Sequence, residues 1–410
     1  MILSVLIVNY NVCYFLEHCL LSVRAAVEQL KVSDAGWQTE VLVYDNASSD
    51  KSVTYLAPRF PEVVFEQSEI NCGFSKANNL LLRKAKGKYI LFLNPDTLVP
   101  ENCFLKLIPF MEHDSQVGAC GVRMIDGSGR YLPESKRGYP GPWNSMSKMT
   151  GLINLFPESP IFAGYYQGHL DPSVNANVEV LSGAFILVRG ALAKKLGGFD
   201  ERFFMYAEDI DLCYRIKMEG YRNVYFADTT IIHFKGESTV KDYEYTRRFY
   251  TAMILFVRKH FPGMMSHVYI GVLKLLIRIK KRSKSSVNYS GSVQGNNHVD
   301  PAEAKSNDKN PLIFFPEGDP VSVQEFRSMY GKAHNLSGMQ SKAMDDVQLT
   351  KDRSIATVRL FCIGERFTIS HLIDSFEHTS KFLKRVFHPK ASAIIGSDSK
   401  ETRGSVVMIR

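Results

Sequence analysis

Four short runs rich in consecutive apolar residues mark the first hundred positions: Leu3–Val8, Glu40–Asp45, Val63–Glu66 and Tyr89–Asp96. Runs of this length predict strands buried on both faces. Between the first two, Phe15, Cys19, Leu20, Val23 and Val27 recur at helical spacing and predict a helix over Cys13–Leu30. Strands that alternate with helix-compatible stretches predict βαβ units, hence a mostly parallel sheet with helices on both faces. The polar clusters Asn9–Asn11, Asp45–Asp50 and Asn94–Asp96 fall where the apolar runs end. Ligands of open α/β sheets lie outside the carboxyl ends of strands, so these clusters are expected to line one crevice.

Regularity then lapses. From Ser128 to Asn177 the chain is rich in Gly, Pro, Ser and aromatic residues, as long loops around a site are. It returns with Val178–Gly190, a helix predicted from Glu208 to Met218, a strand at Asn223–Ala227 and a helical pattern over Asp242–His260. The helix at 208 places Asp209, Leu212, Cys213 and Ile216 on one face. After Met264–Arg282 comes a Ser/Asn/Gly-rich stretch that reads as a linker. Beyond it PLIFF, SIATVRLFCIG and ASAIIG alternate with helical stretches. The chain therefore divides into residues 1–260, a basic amphipathic segment 261–284, a linker 285–310 and a small α/β unit 311–410.

Composition changes this picture little. A chain of 410 residues with 45% hydrophobic and 22% charged residues is ordinary for a globular protein, which excludes disorder of the whole chain. The net charge of +8 is partly local: Arg278, Lys280, Lys281, Arg282 and Lys284 follow an apolar helical face. That face is interrupted by Lys274 and is shorter than the ~20 residues that span a bilayer. It fits either a helix lying on an anionic membrane surface or one docked on the protein's own core. Seven scattered cysteines with no CxxC indicate neither a disulfide framework nor a zinc site, and a reducing compartment fits. MILSVLIVNYN reads as a buried first strand, not as a secretory signal. A cytoplasmic location, at most against the inner face of the cell membrane, is the expectation.

Carboxylates carry the candidate chemistry. Asp45 ends a strand and leads into NASSD, where it can accept from a nucleoside or close an Asx-turn. Asn94-Pro95-Asp96 follows a strongly apolar strand and either presents Asp96 to a hard divalent cation or forms a plain turn. Glu208, Asp209 and Asp211 cluster at a helix start, where acidic residues also offset the helix dipole. Asp209 shares the apolar face, and an inward carboxylate there fits a general base. His233, just past a strand, suits a metal ligand, a phosphate contact or a structural role. Lys76 and Asn78, in NCGFSKANN, lie within the span expected to reach a diphosphate.

In this order VLIVNYN, YDNASSD, NCGFSKANN, LNPDT and GGFDERFFMYAEDIDLCYR resemble the family 2 glycosyltransferases of GT-A fold, and most closely the bacterial rhamnosyltransferase-like members. The resemblance covers about residues 1–260. It implies an inverting transfer from a nucleotide-diphosphate sugar to an acceptor hydroxyl, in the synthesis of a cell-surface polysaccharide. By the same resemblance Asn9 and Asp45 would hold the nucleoside, and Asn71, Gly73, Lys76 and Asn78 would close over the donor. Asn94 would adjoin the diphosphate, while Asp96 and His233 would bind Mg²⁺ or Mn²⁺. Asp209 would be the base, with Glu208 and Asp211 serving the acceptor or as support. The usual Asp-x-Asp is Asn94-Pro95-Asp96 here, one carboxylate fewer. The partners implied are the donor and a glycan or lipid-linked acceptor, with peripheral membrane contact and no nucleic acid. The last hundred residues resemble the degenerate Rossmann-like tails of some such enzymes, and with no GxGxxG a dinucleotide is not expected. Two rivals are a nucleotidyltransferase, which would carry a Gly-rich loop where Asn9-Tyr10-Asn11 stands, and a non-catalytic sugar-binding scaffold.

Overall fold

The computed structural model describes residues 1–34, 36–141, 143, 144, 147, 151–234, 243–261, 263, 266, 267, 269–271, 273, 312–334, 356–378, 383–397 and 405–408. The first half alternates as its apolar runs predict: β1 (Leu3–Asn9), α1 (Cys13–Ser33), β2 (Thr39–Asp45), α2 (Ser52–Leu56), β3 (Val63–Gln67), α3 (Phe74–Lys84) and β4 (Tyr89–Leu93). There follow β5 (Thr97–Leu98), α4 (Cys103–His113), β6 (Val117–Ile125), β7 (Lys136–Arg137), α5 (Leu152–Leu155), β8 (Ala176–Val178), β9 (Val180–Leu181) and β10 (Phe185–Arg189). The first unit is completed by α6 (Gly190–Lys195), α7 (Glu208–Met218), β11 (Arg222–His233) and α8 (Tyr243–His260).

The described strands build a nine-stranded sheet in the order β3-β2-β1-β4-β10-β6-β11-β5, with β8 on β11. The core strands β3, β2, β1 and β4 are parallel, whereas β10 runs antiparallel to both β4 and β6. The sheet is thus mixed at its centre, a reversal that apolar runs cannot reveal, because a buried strand reads the same in either direction. Both faces are covered. Leu3, Val5 and Ile7 pack with α1 and α4, while Leu6 and Val8 pack with α3 and α7, the alternation a strand requires. The 128–177 span is largely irregular, as expected.

A second sheet, of β12 (Leu312–Gly318), β13 (Ala356–Cys362), β14 (Leu383–Phe387), β15 (Ala393–Gly396) and β16 (Ser405–Met408), carries α9 (Pro320–His334) and α10 (Ile369–His378). Its first three strands are parallel and its last two antiparallel. This unit is not held apart from the first. Phe15, Leu98, Ile125, Ile232 and Phe234 share one buried core with Phe361, Ile369, Phe376 and Ile395. Polar groups cross the same boundary: His18 Nε2 meets Ala393 O at 2.9 Å, Ser392 N donates to Glu17 at 3.1 Å, and Lys384 Nζ donates to Ser128 O at 2.5 Å.

Of the basic amphipathic segment, Tyr269, Ile270 and Leu273 are buried in the core of the first unit, so this part docks on the protein itself. The cations from Arg278 onward and the linker lie outside the described residues. Among the described residues no helix is long and apolar enough to cross a membrane. All seven cysteines are free thiols, and all but Cys72 are buried.

Candidate active site

Strand register assembles the first part of the site. Asn9 and Asp45 end β1 and β2 as direct partners, and Asn9 Nδ2 donates to Asp45 Oδ2 at 2.7 Å. The other Asp45 oxygen accepts Ser48 N at 2.9 Å, so the Asx-turn and the inward carboxylate coexist. Asn9 Oδ1 is buried without a hydrogen-bond partner. Asn46, which the sequence did not single out, ties this loop to the next: it donates to Asn71 Oδ1 at 2.9 Å and accepts Cys72 N at 2.9 Å. Asn71 Oδ1 also takes Gly73 N at 3.0 Å.

Gly73 has φ +87, and a Cβ there would stand 2.7 Å from the Phe204 ring, so only glycine fits between this loop and the segment before α7. Phe74 N donates to Phe204 O at 2.8 Å. Lys76 is exposed at the start of α3. Asn78 is buried, and its amide donates to Phe74 O within its own helix at 3.0 Å. Its neighbour Asn79 does the tethering, bonded to Phe199 N at 2.9 Å and Phe199 O at 2.8 Å.

β5 pairs antiparallel with the end of β11, His233 opposite Thr97, which sets His233 beside Asp96. His233 Nε2 lies 3.4 Å from Asp96 Oδ1 and 3.5 Å from Asn94 Nδ2. Both Asp96 and His233 are under a tenth exposed, and His233 Nδ1 has no hydrogen-bond partner. A carboxylate and an imidazole at this separation suit one divalent cation, since adjacent ligands about 2.1 Å from a metal lie about 3 Å apart. Among the described residues no group of three or more His, Cys, Asp and Glu side chains forms a metal cluster. Two protein ligands leave the remaining positions to phosphate oxygens and water, as Mg²⁺ prefers.

The 183–184 turn joins this side to the helix at 208. Asn94 N donates to Ala184 O at 2.9 Å, and Gly183 N donates to Asp209 Oδ2 at 2.9 Å. Asp209 also accepts Ile210 N at 2.8 Å and Arg137 Nη2 at 2.5 Å, and Arg137 is itself bonded to Leu181 O at 2.9 Å. Nothing in the sequence around Arg137 signalled this role, because it is fixed by a pairing of β7 with β9. Glu208 differs from its neighbour: its Oε2 is buried without a partner. Burial, and then the charge of Asp209, pushes its carboxyl up to about 8, so it is protonated at neutral pH. Tyr206 and Ala207, just before it, both take left-handed backbone, as do Asn11 and Ala47 in the loops opposite. Strain of this kind in non-glycine residues gathers at functional sites. Asp211 pairs with Arg215 at 2.7 Å and Lys259 at 2.6 Å and lies in hydrogen-bonding contact with His260 Nε2 at 2.6 Å, and so anchors α7 to α8.

The strand ends of this α/β sheet thus gather a carboxylate–amide pair, a carboxylate–imidazole pair and an inward carboxylate at a helix start. Residues 4–172 match the model of the Glycosyl transferase family 2. Over 253 residues the chain is 28% identical to the N-acetylglucosaminyl-diphospho-decaprenol L-rhamnosyltransferase of Mycobacterium tuberculosis, covering 59% of this chain and 78% of that one. It is 29% identical over 171 residues to the rhamnosyltransferase WbbL of Escherichia coli, covering 40% and 61%. A solved mannosyltransferase, PcManGT from Pyrobaculum calidifontis, aligns over 71% of this chain and 76% of its own at 16% identity, with a TM-score of 0.43. The chain carries a family 2 glycosyltransferase domain and is similar in sequence to rhamnosyltransferases.

Proposed function

We propose that this enzyme moves a deoxyhexose or hexose from a nucleotide-diphosphate donor to a hydroxyl of a lipid-linked glycan, with inversion at the anomeric carbon. The observation that carries this reading is the 183–184 turn, which bonds Asn94 on one side and Asp209 on the other and so sets the expected leaving-group and acceptor sides next to each other. The lipid-linked acceptor is inferred from similarity to the mycobacterial relative, whose name specifies a diphospho-decaprenol acceptor.

On this reading Asn9 and Asp45 hold the nucleoside, and Asn71 with Gly73 shapes the loop that closes beside it. Asp96 and His233 would hold a divalent cation, Mg²⁺ or Mn²⁺, which when bound offsets the charge developing on the departing diphosphate. Asp209 accepts the proton of the acceptor hydroxyl as its oxygen attacks from the face opposite the nucleotide. Arg137, Gly183 and Ile210 fix the orientation of that carboxylate. Glu208, neutral at pH 7, donates through its carboxyl proton to a sugar oxygen, a service an ionised carboxylate cannot give.

The test is incubation of the purified full-length chain with UDP-, GDP- and dTDP-sugars, Mg²⁺ or Mn²⁺, and a polyprenyl-diphospho-N-acetylglucosamine acceptor. Release of nucleoside diphosphate together with an extended acceptor is expected. In a parallel incubation with a nucleoside triphosphate and a sugar 1-phosphate, pyrophosphate release would mark a nucleotidyltransferase, and no turnover in either mixture would leave a sugar-binding scaffold.

A further inference from the structure

The end of β11 serves two masters. His233 turns to Asp96, while the residues on either side of it, Ile232 and Phe234, lie in the core shared with the C-terminal unit. This is the period-two alternation of a strand, so whatever fixes Ile232 and Phe234 fixes the direction of His233. Phe234 is fully buried, its ring packs edge-on against Phe15 at 5.3 Å, and its N–H donates to Asp96 O at 3.0 Å. A Cβ on Gly127 would stand 2.9 Å from both the Phe234 ring and Ser397 O, which marks a close three-way junction of β6, β11 and the second sheet.

The second unit is bound to that junction from the catalytic side. Glu101, five residues after Asp96, is buried and accepts Ile369 N at 2.6 Å, Ser370 N at 3.1 Å and the Ser370 hydroxyl at 3.0 Å. It caps the start of α10 from 268 residues away, supplying the acceptor and the negative charge that a helix N-terminus lacks. α10 in turn contributes Ile369 and Phe376 to the core around Phe234.

We propose that the C-terminal unit is a working part of the transferase site, holding the Asp96–His233 pair in register through Phe234, with Glu101 as the positioning residue that clamps it there. The inference rests on the reading of Asp96 and His233 as the cation side of the donor site. It departs from the division of the chain that sets residues 311–410 apart as a small unit of their own.

The experiment uses the full-length chain. Mn²⁺ is titrated by electron paramagnetic resonance in the presence of UDP, GDP or dTDP, whichever binds the wild type, and affinity for that nucleotide is measured again without metal. Glu101→Ala should weaken Mn²⁺ about tenfold or more, the scale of lost outer-shell support, while metal-free nucleotide binding stays unchanged. Glu101→Gln, which keeps one acceptor oxygen, should recover part of the loss. Should Glu101→Ala fail to fold, Phe234→Leu, which keeps the backbone bond to Asp96 but gives up the ring contact with Phe15, is measured in the same way. Unchanged Mn²⁺ affinity, or an equal loss of metal-free nucleotide binding, would overturn the inference. Asp96→Ala separates the two levels: if that variant still binds Mn²⁺ normally, the reading of the site itself fails.

Discussion

Arg137 donates to Asp209 at 2.5 Å across 72 residues of chain, and both side chains are largely withdrawn from water. A carboxylate in this setting is held in one orientation, a property a base needs before substrate arrives. Asp209→Asn should therefore lower kcat by about 10²–10⁴ while donor affinity stays within about twofold. Wild-type turnover in that variant would remove Asp209 from the mechanism.

Removing the other partner has a different signature. Arg137→Leu leaves Asp209 buried without its counter-charge, and such losses cost about 3–5 kcal/mol of stability. Thermal unfolding should show this loss, and kcat should fall in the folded protein, because the carboxylate is no longer held in one orientation. Wild-type kcat in a folded Arg137→Leu protein would mean that the pair is only structural.

Glu208 should govern the alkaline side. Its carboxyl, pushed up to about 8, loses its proton above that pH, and the hydrogen bond it donates is lost with it. Turnover should fall above about pH 8 in the wild type. Glu208→Gln, which keeps a donor at every pH, should lack this fall and remain active, whereas Glu208→Ala should be weak throughout. An alkaline limb that persists in Glu208→Gln would assign it to another group.

Two histidines, His18 buried and His388 half-buried, make the union of the two units acid-sensitive. Burial lowers His18 from 6.5 to about 4, and burial with the nearby charge of His18 lowers His388 to about 3. In both the unfolded chain takes up a proton first, so the stability they allow is complete above about 6.5 and is lost as pH falls towards 4. The loss is about 1.4 kcal/mol per pH unit for each histidine. Melting temperatures from pH 7.5 to 5 should fall more steeply in the wild type than in His18→Gln. Equal slopes would show that His18 does not titrate between the folded and unfolded states.

The sequence by itself determined the parallel strands, the helix at Glu208–Met218 and the placing of Asn9, Asp45 and Asn94 at strand ends, because burial on two faces and helical periodicity are local signals written in the order of residues. It also carried the family, since its five motifs keep their order and spacing. Only the tertiary structure decided the direction of β10, the bond from Arg137 to Asp209 and the partners that Asp211 finds in Arg215, Lys259 and His260. It also decided that the last hundred residues pack on Phe234. Each of these depends on which distant segments meet: a buried arginine, a turn-forming carboxylate and a capping glutamate look ordinary in the chain until a partner 72 or 268 residues away is brought within hydrogen-bonding distance.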